Sequence, residues 1–154
     1  MARPTTLAFS KFVLMLGDGA SPETFAAPCG LTSRGVNETT TFQETVIPDC
    51  DDEDAPAWVD RDADSQSATF SGSGNLAKEN FGTYRAWKRS GQPKRCRIYY
   101  FEGEDGDELP ESAVGYDEGL FVLSTLGVTG ERGRRVQLEI ELLSTGELTW
   151  HDAA

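Results

Sequence analysis

The 154-residue sequence predicts a mainly β domain with one helix: two packed antiparallel sheets, as a β-sandwich or half-open barrel, flanked by an α-helix. Three observations predict it. Residues alternate with period two in several runs of strand length, most clearly Ala68, Phe70, Gly72, Gly74 and Leu76 against Thr69, Ser71, Ser73 and Asn75. The connections between runs are mostly short and rich in turn-forming residues, which favours antiparallel neighbours. The period changes to three and four in one stretch, Ala77 to Ser90, where Ala77, Phe81, Tyr84 and Trp87 or Lys88 share a helix face.

Residues 1–10, with Pro4 and no helical periodicity, form an arm that leads into a first strand at Lys11 to Leu16. Gly17-Asp18-Gly19 supplies a turn, and Glu23 to Ala27 a short return strand limited by Pro22 and Pro28. From Leu31 to Phe42 the β-branched Thr39, Thr40 and Thr41 suit a strand, on which Arg34, Val36, Glu38, Thr40 and Phe42 share one face. That mixed face fits a sheet packed on one side and open to water or another subunit on the other. Residues 44–66 contain Pro48, Pro56 and the acidic Asp49, Asp51, Asp52, Glu53 and Asp54, and read as a long loop. The apolar Val46, Ile47, Trp58 and Val59 in it, with Phe42 just before it, exceed what a solvated loop needs, which predicts cover by a neighbouring molecule.

Ser67 to Leu76 is the next strand, where Gly72 and Gly74 mark a bend or the close approach of another backbone. In the helix that follows, Asn75 is the candidate cap, Arg85, Lys88 and Arg89 suit the negative end of the dipole, and Gly91 with Pro93 ends it. Gly82 and Thr83 weaken its intrinsic preference, so burial of Phe81, Tyr84 and Trp87 must hold it. Arg95 to Phe101 alternates Arg95, Arg97 and Tyr99 against Cys96, Ile98 and Tyr100, and residues 102–118 form an acidic, glycine-broken loop. The last long strands are Leu120 to Thr129 and Arg135 to Leu143, with Val136, Leu138, Ile140 and Leu142 on one face of the second and Gln137, Glu139 and Glu141 on the other. Leu148-Thr149-Trp150 forms a short terminal strand.

The length suits one domain spanning residues 1–154, large enough for a core of its own. The longest apolar run, Phe12 to Leu16, is too short to cross a bilayer, and Gly17-Asp18-Gly19 spoils it as a signal peptide, so neither a membrane role nor export is expected. Three cysteines, Cys29, Cys50 and Cys96, are odd in number and lack paired spacing, which predicts free thiols. A formal net charge of -12 disfavours tight nucleic-acid binding, which rests on Lys and Arg at phosphates. The same sign suits a surface past which nucleic acid slides without sticking.

Parts for catalysis are few. His151 is the sole histidine and lies beside the C-terminus, and no serine sits in a nucleophile elbow. The run from Asp49 to Glu53 lacks the spaced ligands and glycine of a calcium loop, and Ser71-Gly72-Ser73-Gly74 lacks the Lys-Ser/Thr of a phosphate loop. No enzyme activity, cofactor or metal is expected. Lys94, Arg95 and Arg97 beside Tyr99, Tyr100 and Phe101 echo an RNA-binding strand, but in so acidic a chain they read as packing with local charge balance.

The order of these phrases resembles the major tail tube proteins of long-tailed phages and gene transfer agents. The phrases are FVLMLGDG in the first strand, Cys29-Gly30-Leu31-Thr32-Ser33-Arg34, Asn37-Glu38-Thr39 before the long loop, Ser71 to Gly74 before a helix with Trp87, and the Glu/Leu ribbon from Gln137 to Leu143. The resemblance implies a subunit of hexameric rings that stack into a hollow virion tail tube, assembled in the host cytoplasm, through which DNA and a tape-measure protein pass. It implies a tail terminator and distal tail or baseplate proteins as further partners, and no membrane. It places residues 44–66, with Val46, Ile47, Trp58, Val59 and Phe42, and the arm 1–10 at contacts between subunits or rings. Glu139 and Glu141 become candidates for the lumen lining. The other expectation compatible with strands and acidity is a monomeric β-sandwich head-tail connector or another non-catalytic binding module.

Overall fold

The computed structural model describes residues 9, 12–19, 23–101 and 113–152. Among these, seven strands and one helix follow in the order β1 (Phe12–Gly17), β2 (Phe25–Ala26), β3 (Leu31–Ile47), β4 (Trp58–Asn75), α1 (Lys78–Ser90), β5 (Lys94–Phe101), β6 (Ala113–Thr129) and β7 (Gln137–Asp152). All join one antiparallel sheet in the order β2-β1-β5-β6-β7-β4-β3. The expected pair of separate sheets is therefore corrected to a single curled one. Its ends fold toward each other: Phe12 of β1 lies 6.3 Å from Phe70 of β4 between ring centroids, and Arg34 of β3 donates to the Phe12 carbonyl at 2.6 Å. Strand twist and register shifts, such as those at Glu118/Leu120 and Leu123/Thr125, allow such curling.

The alternation read from the sequence decides what the curl encloses. Leu14 and Leu16, Cys96 and Ile98, Phe121 and Leu123, and Leu138, Ile140 and Leu142 form one cluster with Phe70 and Leu31. Each fully buried Leu, Ile or Phe contributes about 1.5–3 kcal/mol through the water it sheds. Val136 lies just before β7 and remains exposed. Tyr84 and Trp87 of α1 complete the core, while Phe81 is half-buried. Gly91 ends the helix in the left-handed region, φ 66°, as expected. The cap is different: Ala77 holds that position without a side-chain hydrogen bond. Asn75 still belongs to β4, where its amide donates to the Gly30 carbonyl at 2.9 Å and its side chain accepts from Gln137 at 3.0 Å.

Gly74 shows why its position excludes a side chain. A Cβ there would sit 2.3 Å from the Gly30 carbonyl oxygen and 2.6 Å from the Thr32 nitrogen, so the backbone of β3 approaches as expected. The terminal Leu148-Thr149-Trp150 is part of β7, which continues past a bulge at Gly146, φ 90°, to pair with β6 again at Thr149↔Glu118. Of the predicted acidic loop, residues 113–118 are strand β6, and 102–112 lie outside the described residues. So does the predicted arm, Phe9 excepted.

Candidate functional site, an exposed hairpin and a polar sheet face

Beyond Thr69 of β4, which pairs with Leu143 of β7, the β3–β4 hairpin has no other strand beside it among the described residues. Pairing runs on from Thr39↔Ser67 to Ile47↔Trp58, so a two-stranded arm extends roughly 30 Å from the body at 3.3 Å per residue. The predicted loop at 44–66 is thus corrected to a hairpin, and only 48–57 is turn. Period-two reasoning missed it because neither face is buried by the described residues: Asp60, Asp62 and Asp64 break any apolar alternation on β4. The β-branched Thr45, Val46, Ile47 and Val59 were the available signal.

The hairpin gathers all five predicted contact residues. On one face Phe42 lies opposite Ala63, Glu44 opposite Arg61 and Val46 opposite Val59, with the Glu44–Arg61 ion pair at 3.1 Å between the two apolar pairs. On the other face Ile47 lies opposite Trp58 at the tip, behind the polar pairs Gln43–Asp62 and Thr45–Asp60. All five are exposed, Trp58 by 88%. A two-stranded hairpin is marginal alone in water, and this one carries its large apolar groups exposed. The turn is preformed: Asp49 accepts from the Asp51 amide at 2.9 Å and Asp52 from the Asp54 amide at 3.2 Å. Two of its carboxylates therefore serve the turn's own backbone.

Glu139 and Glu141 lie on the side of β7 opposite its core residues, Glu139 exposed and Glu141 half-buried. Their rows across the sheet read Ser33–Ser73–Glu139–Gly127 and Gly35–Ser71–Glu141–Thr125. The patch is small, polar and acidic, and no Lys or Arg falls on these two rows.

A second charged cluster spans β5, β6 and β7. Glu118 meets Arg95 at 2.6 Å, Arg97 at 3.2 Å and His151 at 3.9 Å. Burial alone would raise the Glu118 carboxyl, but the hydrogen bond from Arg95 and the nearby positive charges hold it below its ordinary value. Tyr99, Tyr116 and His151 stack beside it, and Arg97 lies over the Phe25 and Tyr116 rings. The basic-aromatic strand thus finds its partners within the chain. Next to Glu118, Asp117 is raised by burial and by the charge of Glu38. Among the described residues no group of three or more His, Cys, Asp or Glu could hold a metal ion. No helix there is long and apolar enough to cross a membrane.

Comparison with known proteins places this architecture. The tail of an empty gene transfer agent particle, solved with C6 symmetry, superposes with a TM-score of 0.71 at 15% identity, covering 95% of this chain and 99% of that one. The SPP1 tail tube gives 0.61 at 10% identity, covering 96% and 80%. The sheath-tube complex of an extracellular contractile injection system gives 0.61 at 11%, covering 96% and 92%. These likenesses establish a shared tail-tube fold. No match was found among curated proteins. The model of the family described as phage tail tube protein matches residues 6–150, and the chain belongs to that family of tail structural proteins.

Proposed function

We propose that this chain is the subunit of hexameric rings that stack into the hollow tail tube of a phage or gene transfer agent, a conduit for DNA into the host cell. The rings assemble in the host cytoplasm around a tape-measure protein and remain in the virion tail, bounded by a terminator at one end and distal tail or baseplate proteins at the other. The hairpin at 39–67 carries this reading: five large apolar side chains stand exposed on a two-stranded arm that the other described residues leave uncovered. Within a ring, the free edge of β3, which pairs only with β4 among the described residues, is extended by the sheet of the next subunit. Between rings the hairpin, together with the N-terminal arm, reaches the neighbour. The acidic rows around Glu139 and Glu141 face the bore, where carboxylates repel phosphates and let DNA pass. No catalytic step and no cofactor enter this role.

Negative-stain microscopy tests the reading. The purified chain is expected to form hollow tubes of uniform width, while a variant in which residues 44–61 are replaced by a two-residue turn stops at isolated rings. A parent chain that stays monomeric at every concentration, even with a tail-tip initiator present, would contradict the proposal.

A further inference from the structure

We propose that consecutive rings join head to tail, with the tip of the β3–β4 hairpin of one copy seated on the β6–β7 turn, residues 130–136, of a second copy. This rests on the tube reading and assigns the partner surface for the hairpin. The register places the two surfaces at opposite ends of the sheet. β4 starts at the tip with Trp58, opposite Ile47, and ends at Asn75 beside Gln137, the first residue of β7, which in turn pairs with Thr129, the last of β6. Seventeen residue steps along β4 separate the ends, roughly 55 Å of strand contour.

The two ends complement each other in charge and share apolar character. The tip turn carries Asp49, Asp51, Asp52, Glu53 and Asp54 without a Lys or Arg between 48 and 57, beside exposed Ile47, Val46 and Trp58. The far turn carries Arg132, Arg134 and Arg135 against the single acid Glu131, between Val128 and Val136, which are 46% and 41% exposed. Arg134 spends its charge on a water-exposed i,i+3 pair with Glu131 at 3.7 Å, which is weak enough to exchange. Both turns are closed by their own backbone, through Ala55 N–H to the Asp52 carbonyl at 3.3 Å and Arg134 N–H to the Glu131 carbonyl at 3.1 Å, so little ordering is required on docking. Tip against tip would oppose ten carboxylates, and turn against turn six guanidinium groups. Tip against turn is the attractive combination, and because it is heterologous it propagates with one polarity.

Charge reversal tests this. D51K/E53K/D54K and R132E/R134E/R135E are each expected to lose tubes while retaining rings, and the chain carrying both sets is expected to regain them. All six positions are exposed, so thermal melts matching the parent separate lost assembly from lost folding. In the unmodified chain, tube yield by sedimentation should fall between 0.1 and 1 M NaCl as the screening length shrinks from about 10 to about 3 Å. Parent tubes with undiminished tubes from either single reversal, no recovery in the combined chain, or a yield indifferent to salt would each overturn the docking while leaving the tube reading intact. A parent that makes no tubes at all would overturn the tube reading and the docking with it.

Discussion

Tyr84 carries its hydroxyl into the core, where it finds no protein hydrogen-bond partner among the described residues, and burial raises its pKa well beyond the ordinary phenol value. An unpaired buried hydroxyl is a cost that Phe would not incur, so Tyr84→Phe is expected to leave stability unchanged or to raise it by up to about 1 kcal/mol in denaturant melts. Glu118 and its neighbour Asp117 make opposite demands on pH. The folded Glu118 carboxyl titrates below its unfolded value, so its contribution is present above the ordinary carboxylate range and is lost as pH falls through the depressed value. Asp117 is raised, so its contribution is most favourable in acid and erodes as pH climbs through the raised value. Thermal melts should therefore show Glu118→Gln lowering the melting temperature at pH 7 and flattening its decline toward pH 3. Asp117→Asn should raise it at pH 7.

Among the elements, the hairpin is where the proposed assembly contact parts from the demands of folding. Trp58 contributes almost nothing to the folded monomer, because 88% of it is exposed. Trp58→Ala is expected to shift monomer stability by no more than about 0.5 kcal/mol yet sharply reduce tube formation, read by melting and by sedimentation of the same preparation. The contrast also explains what the sequence could and could not disclose. β5, β7 and the inner half of β4 were legible because one face of each is buried, and burial writes a period of two into Cys96-Ile98, Phe70-Gly72-Gly74 and Leu138-Ile140-Leu142. The described residues bury neither face of the hairpin, so its strands read as an acidic loop. Its apolar residues stood out in the sequence and are exposed in the fold, although their direct pairing, Val46 with Val59 and Ile47 with Trp58, emerged only there. Asn75 looked like a cap because its type suits one, and the pairing of β4 to Gln137 overrode that preference.

For the whole molecule, alternation predicted strands but not how many sheets they form. One sheet and two can share a core; what decides is where bulges let strands bend, and here Gly119 and Gly146 allow β6 and β7 to run on through a change of register. A Cβ on Gly119 would lie 2.3 Å from the Leu148 side chain, which fills that space instead. The resulting body has a closed core and three features turned outward: the β3 edge, unpaired among the described residues, the hairpin with its acidic tip, and the acidic rows of β3, β4, β7 and β6. Under the proposed function each is assigned a different contact of a stacked ring: the neighbour in the ring, the next ring, and the bore. A helical cryo-electron microscopy reconstruction of tubes grown from the purified chain measures all three at once. The expected result is sixfold rings, each hairpin crossing to the β6–β7 turn of the adjoining ring, and Glu139 and Glu141 lining the channel. Hairpins folded back within their own ring, or a channel lined by basic residues, would contradict it.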